Sequence, residues 1–92
     1  MSGVARRTFE IVNDLGLHAR AATKLVQLAS KYTCAVEVSN QGQRANAKSV
    51  MGVLLLCGGK GAHIEVTATG DRAEECVDAI GELIAARFGE PS

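Results

Sequence analysis

Apolar and polar positions along this chain follow two periods, and the changes from one to the other delimit its elements. Thr8-Phe9-Glu10-Ile11-Val12 alternates, with Phe9 and Ile11 on one side, which predicts a half-buried strand. Asn13-Asp14-Leu15-Gly16 is a cluster of turn formers. From Ala19 to about Lys31 the period lengthens. Ala22, Leu25, Val26 and Ala29 recur on one face, predicting an amphipathic helix, and Arg20, Lys24, Gln27 and Lys31 form a mostly basic stripe on the other. Alternation returns over Cys34 to Ser39, with Val36 and Val38 inward. Asn40-Gln41-Gly42 then reads as a hairpin turn, and Gln43 to Ala47 as a short, weakly apolar return strand suited to a sheet edge.

Ser49 is a favoured N-cap, and Val50-Met51-Gly52-Val53-Leu54-Leu55-Leu56 fits a helix of one to two turns. Its apolar side chains cannot all point one way. Either the segment is wholly buried, which composition alone favours, or it leaves an apolar patch at Met51 and Leu54 for a partner to cover. Gly58-Gly59-Lys60-Gly61 leads into the alternating strand Ala62 to Thr69, whereas a phosphate-cradling loop must open a helix. The glycines therefore read as a flexible turn, and His63 as a solvated residue on the strand's polar face. Asp71 and Glu74 suggest a capping box for a last, purely structural helix. Ala73, Cys76, Val77, Ile80, Leu83, Ile84 and Phe88 form its inward stripe, and Gly89 with Pro91 ends it. The order β-α-β-β-α-β-α predicts an α+β, two-layer open-faced sandwich, with the helices on one sheet face and Glu10, Glu37, Glu65 and Thr67 on the other.

Composition narrows the function. The 92 residues are 47% hydrophobic and 22% charged, as expected of one folded domain spanning 1–92. Ten basic residues balance ten acidic ones, which removes the electrostatic case for nucleic acid. No apolar run is long enough to cross a membrane, and the N-terminus lacks a signal-like apolar region, so a cytoplasmic protein without membrane insertion is expected. Cys34, Cys57 and Cys76 have no C-x-x-C spacing and read as reduced, mostly buried thiols. With His18 and His63 as the histidines, no metal site or cofactor is expected.

The chemistry concentrates in Gly16-Leu17-His18-Ala19-Arg20-Ala21-Ala22-Thr23. His18 immediately precedes the first predicted helix, whose leading N–H groups lack internal partners and carry about half a positive charge. The backbone amides of Ala19 and Arg20 can therefore hold an anion. The same positive end favours the neutral imidazole, whose lone pair is a nucleophile, and Arg20 can fork its guanidinium over phosphate oxygens. His18 is then a candidate phosphoryl acceptor and Arg20 its clamp. A histidine in this place can equally be a simple cap. No acid or base is paired with it in sequence, which argues against an autonomous hydrolase.

Gly16-Leu17-His18-Ala19-Arg20 followed by Lys48-Ser49-Val50-Met51-Gly52-Val53, in this element order, closely resembles the HPr family, the histidine-containing phosphocarriers of the phosphoenolpyruvate-dependent sugar phosphotransferase system. The likeness runs from about Thr8 to Phe88. It implies a four-stranded antiparallel sheet in the order 1-4-2-3 with three helices on one side. It implies that His18 takes a phosphoryl group on Nδ1 from phosphorylated enzyme I and passes it to IIA components, with Arg20 contacting the phosphoryl group. The segment from Ser49 to Leu54 would supply apolar docking residues, Val50, Met51 and Leu54 among them, which favours the exposed-patch reading. Lys24, Gln27 and Lys31 would add a basic surface for acidic partners. Ser49 matches a serine phosphorylated by HPr kinase/phosphorylase in many bacteria. Two departures stand out: Ala21 where the family usually has proline, and Cys57 where it usually has glycine.

Two functions follow from this reading. The first is a stoichiometric, monomeric phosphoryl relay, transferase-like without being an autonomous enzyme. The alternative is a regulatory HPr-like binding module, nitrogen-related or controlled at Ser49, with no part in sugar transport.

Overall fold

The computed structural model describes residues 3–92. Four strands form one antiparallel sheet in the order β1-β4-β2-β3. The outer strand β1 (Gly3–Glu10) pairs along its whole length with β4 (His63–Gly70), from Gly3 opposite Gly70 to Glu10 opposite His63. β4 pairs on its other side with β2 (Ala35–Asn40), which turns through Gln41 and Gly42, both at positive φ, into the edge strand β3 (Gln43–Asn46). This two-residue hairpin has the left-handed residues that match the natural twist of its strands.

β1 starts and ends earlier than the Thr8–Val12 alternation predicts, and its arginines explain why. Arg6 points to the open face, where Nε donates to Thr67 Oγ1 at 3.3 Å and lies 4.0 Å from Glu65. Arg7 points to the helical side and pairs with Glu74 and Asp78. Adjacent charges on opposite faces erase the alternation without breaking the ladder. Ile11 leaves the ladder but stays fully buried, its N–H donating to Ala62 O (2.9 Å) and its carbonyl accepting from Gly61 N–H (2.7 Å).

The helices α1 (Ala19–Ala29), α2 (Val50–Leu55) and α3 (Ala73–Ala85) cover one face. Between layers lie Leu25, Val38, Val53, Ile64, Val66, Val77 and Ile80, all fully buried. The open face carries exposed Glu10, Glu37 and His63 with half-buried Glu65 and Thr67. Cys34 and Cys76 are buried, and Cys57 is exposed. Among the described residues no helix is long and apolar enough to cross a membrane, and no cluster of potential metal ligands occurs.

Two local expectations are corrected. The Asp71/Glu74 capping box does not form: the N-cap of α3 is Arg72, left-handed at φ 58°, without a side-chain cap bond. Glu74 and Glu75 sit in the first turn, where the helix dipole favours acidic groups, and they pair with Arg7 and Arg72 instead. In α2, Ser49 does cap the helix, its Oγ accepting from Gly52 N–H at 3.1 Å, but the segment is not wholly buried. Val53 and Leu56 go inside, Val50 and Leu54 are half-buried, and Met51 (68%) and Leu55 (69%) lie open to solvent. Because Leu54 is drawn partly inward while Leu55 stays open, the exposed patch is Met51 with Leu55, four apart on one helix face, not Met51 with Leu54.

Past α3 the chain makes a short 3-10 turn, Arg87–Gly89, with Arg87 and Phe88 left-handed (φ 59° and 54°) and the Phe88 ring fully buried. Lys24 Nζ donates to Phe88 O at 2.7 Å. The anchored ring and this bond send the last residues back over the start of α1.

Candidate functional site

His18 is itself the N-cap of α1. Its backbone is extended (ψ 179°), its carbonyl accepts the Ala22 N–H at 2.8 Å, and its Nδ1 accepts the Arg20 N–H at 3.3 Å. One of the helix's unpartnered amides therefore points at a ring nitrogen of the same cap. The ring keeps 27% of its side-chain surface exposed. Ala21, in the first turn, is fully buried against the core.

The loop beneath His18 is built rigidly. Leu17 is buried, and its N–H donates to Gly58 O at 2.8 Å. Gly16 is left-handed (φ 66°), and a Cβ on it would lie 2.4 Å from that same carbonyl. A Cβ on Gly58 would in turn strike Leu17 Cδ1 at 2.9 Å. Gly58 and the backbone of Gly59 thus pack under the histidine loop, where the missing side chains let two backbones touch, while Lys60 and Gly61 stay exposed as a surface turn.

The opposite ring nitrogen meets a group that no periodic pattern revealed. His18 Nε2 is bonded to Glu90 Oε2. Glu90 Oε1 accepts from Asn13 Nδ2 at 2.9 Å, and the same amide donates to Gly16 O at 2.9 Å. The Glu90 side chain is only 8% exposed, and Asn13 is fully buried. The bond from His18, then the one from Asn13, holds the Glu90 carboxyl below its usual range. The tail is fixed on both sides, Asp14 N–H donating to Ser92 O (3.2 Å) and Arg87 Nη1 to Pro91 O (3.1 Å). Around the ring lies an open depression of about 440 Å³ lined by Leu15, His18, Ala19, Arg20, Glu90 and Pro91, with Ser92 at its rim.

The other candidate residues divide by position. Arg20 is exposed beside the ring, near enough for its charge to act on Glu90. Gln27 and Lys31 are exposed on the stripe, but Lys24 is not free there, because its ammonium is turned inward to Phe88 O. Lys48 Nζ donates to Tyr32 O (2.7 Å) and Cys34 O (2.8 Å), tying the entry of α2 to the connection between α1 and β2. Asn13 and Glu90 were missed. Glu90 lies beyond every predicted element, and the Gly89–Pro91 turn around it marks only where a helix stops. The expectation that no acid pairs with His18 is corrected by that residue.

A histidine capping a helix, with a backbone amide on Nδ1 and open space before it, is arranged to hold an anion on the ring. The family model describing the phosphorylation site of the HPr component of the phosphotransferase system matches residues 5–86. The chain belongs to the HPr family. The phosphocarrier protein HPr of Cupriavidus necator is 45% identical over 85 residues, 92% of this chain and 96% of that protein. HPr of Neisseria meningitidis is 41% identical with the same coverage of each. The crystal structure of HPr-C-His from Thermoanaerobacter tengcongensis superposes with a TM-score of 0.92 at 40% identity, covering 96% of this chain and 99% of that one. The sheet order and the helical layer are thus those of an HPr sandwich. The span matched by the HPr model stops before Glu90.

Proposed function

We propose that the chain is a phosphocarrier of the phosphoenolpyruvate-dependent sugar phosphotransferase system: His18 accepts a phosphoryl group on Nδ1 from phosphorylated enzyme I and passes it to IIA components. The observation that carries this reading is the pairing of His18 Nδ1 with the Arg20 N–H at 3.3 Å on a partly exposed ring at a helix start. An incoming phosphoryl group on Nδ1 takes over that amide, and its charge is met by the helix end and by the exposed Arg20 guanidinium. Met51 and Leu55, with Gln27 and Lys31, offer the apolar and basic surface for the partners, with half-buried Val50 and Leu54 at its margin. The relay needs no cofactor, since the donor supplies the activated phosphoryl group.

The test is incubation with radiolabelled phosphoenolpyruvate and enzyme I. Acid-labile label confined to His18, and absent from His18→Ala, supports the relay; an unlabelled wild-type chain overturns it.

A second role, regulation at Ser49, is favoured by the position of its hydroxyl at the N-cap of α2, two residues from Met51. Phosphate there is tolerated by the helix end yet adds about two negative charges beside the docking patch. Separate replacement of His18 and Ser49 discriminates the roles. Loss of sugar uptake on replacing His18 supports the carrier, and a phenotype only on replacing Ser49 supports the regulator.

A further inference from the structure

We infer that Cys34 and Cys76 form a redox modification site: a small peroxide oxidant converts this buried thiol pair into an internal disulfide that clamps α3 to the start of β2. The inference does not depend on the carrier reading. Three placements bring the two residues together. Cys34 lies one residue before β2, whose Ala35 is opposite Thr69 of β4. The next residue of β4, Gly70, packs on Cys34 itself, so closely that a Cβ on it would lie 3.3 Å from Cys34 Cα. From Gly70 the chain turns through Arg72 into α3, where the Cys76 N–H donates to Arg72 O at 3.0 Å and the Cys76 side chain enters the core. Lys48 spans the same spot, its Nζ donating to Cys34 O at 2.8 Å while its charge reaches Cys76. Both cysteines are free and buried, Cys34 being 2% exposed and Cys76 fully enclosed.

A disulfide joins only cysteines whose Cβ atoms lie close together, which neighbours across the boundary between sheet and helix can supply. The two thiols are not equal in the reaction. Burial first, then neighbouring Cys34, push the Cys76 thiol up to about 12, so Cys76 does not supply the first attacking sulfur. Cys34 keeps a trace of exposure and is the entry point. Its sulfur attacks one oxygen of hydrogen peroxide, the O–O bond breaks, and Cys34 becomes a sulfenic acid with release of one water. The Cys76 sulfur then attacks the sulfenic sulfur. The S–O bond breaks, the hydroxide takes the Cys76 proton and leaves as a second water, and the peroxide has taken two electrons from the two thiols. The Lys48 ammonium favours the negative charge on the Cys76 sulfur as it attacks.

Position in the sheet decides the consequence. The pair sits at the end where Gly3 faces Gly70, whereas the Glu10–His63 end leads to Ile11 and the histidine loop. Closing a loop of about 40 residues restricts the unfolded chain and leaves His18 and its approach untouched. Exposed Cys57 precedes Gly58, which packs on Leu17 under that loop, so it stands at the other end from the pair.

The test exposes folded wild type and Cys57→Ser to hydrogen peroxide, alkylates the remaining thiols after denaturation, and maps the digested chain by mass spectrometry. A linked Cys34–Cys76 peptide, short of two hydrogen atoms, in a monomeric chain and released by dithiothreitol, supports the site. The oxidised protein should melt higher than the reduced one by about 10 °C, and Cys34→Ser in the Cys57→Ser chain should show neither the link nor the rise. Full recovery of both thiols under conditions that oxidise Cys57 of wild type overturns the inference. So does separate oxidation of the two sulfurs without a link, or a link that lowers the melting point. The peptide map of the parent chain decides even where a variant folds poorly.

Discussion

Gly81 of α3 leaves the space that the Phe9 ring of β1 fills: a Cβ at Gly81 would lie 2.4 Å from Phe9 Cε1 and 2.6 Å from Cζ. Glycine inside a helix ordinarily costs about 1 kcal/mol relative to alanine, so its presence in α3 reflects this contact between helix and sheet. Gly81→Ala should destabilise the fold by roughly 1–2 kcal/mol net, because a rigid ring must leave its place or the layers must separate. The midpoint of urea unfolding reads this directly, and a stabilised variant would show that the ring moves freely.

The carboxyl of Glu90 is held below its ordinary value of 4.5, first by the bond to His18 and then by Asn13. A group whose folded value is depressed adds stability above its unfolded value and loses it as pH falls through the folded one. Wild type should therefore melt higher than Glu90→Gln near neutral pH. The two should converge once pH falls below the depressed folded value. Thermal midpoints collected across that range check the sign.

Cys57 is exposed and left-handed, φ 53°, a conformation that favours glycine. A side chain there carries a steric penalty of about 1–2 kcal/mol, partly offset by the greater freedom glycine has when unfolded. Cys57→Gly should raise stability by roughly 0.5–1 kcal/mol net, measured by denaturant. Thiol reagents applied to the native protein should modify Cys57 and spare Cys76, whose thiol is pushed up to about 12 by burial and then by neighbouring Cys34.

Ser49 separates capping from charge. Ser49→Ala loses the bond to Gly52 N–H and should cost about 1 kcal/mol of stability. Ser49→Asp retains a good cap and should stay within about 0.5 kcal/mol of wild type. Its added charge beside Met51 should still slow phosphoryl transfer from enzyme I several-fold at low salt, less so at high salt. Equal rates for wild type and Ser49→Asp at every salt concentration would remove the regulatory reading.

Residue patterns alone determined the order of the elements, the inner faces of β2, β4 and α1, the cap at Ser49 and the placing of His18 before a helix. Each of these depends on neighbours within a few residues, where side-chain periodicity and cap chemistry act directly. Tertiary structure decided what depends on partners distant in sequence. Gly58 and Gly59 became a packed support because Gly16 and Leu17 fold onto them. Leu55 replaced Leu54 in the exposed patch because the short α2 could turn only one side to the core. Glu90, 72 residues along the chain from His18, reached the ring because Phe88 is buried and two left-handed residues reverse the backbone. No local pattern carries such a contact, because it is fixed by where the end of one helix lies against the beginning of another.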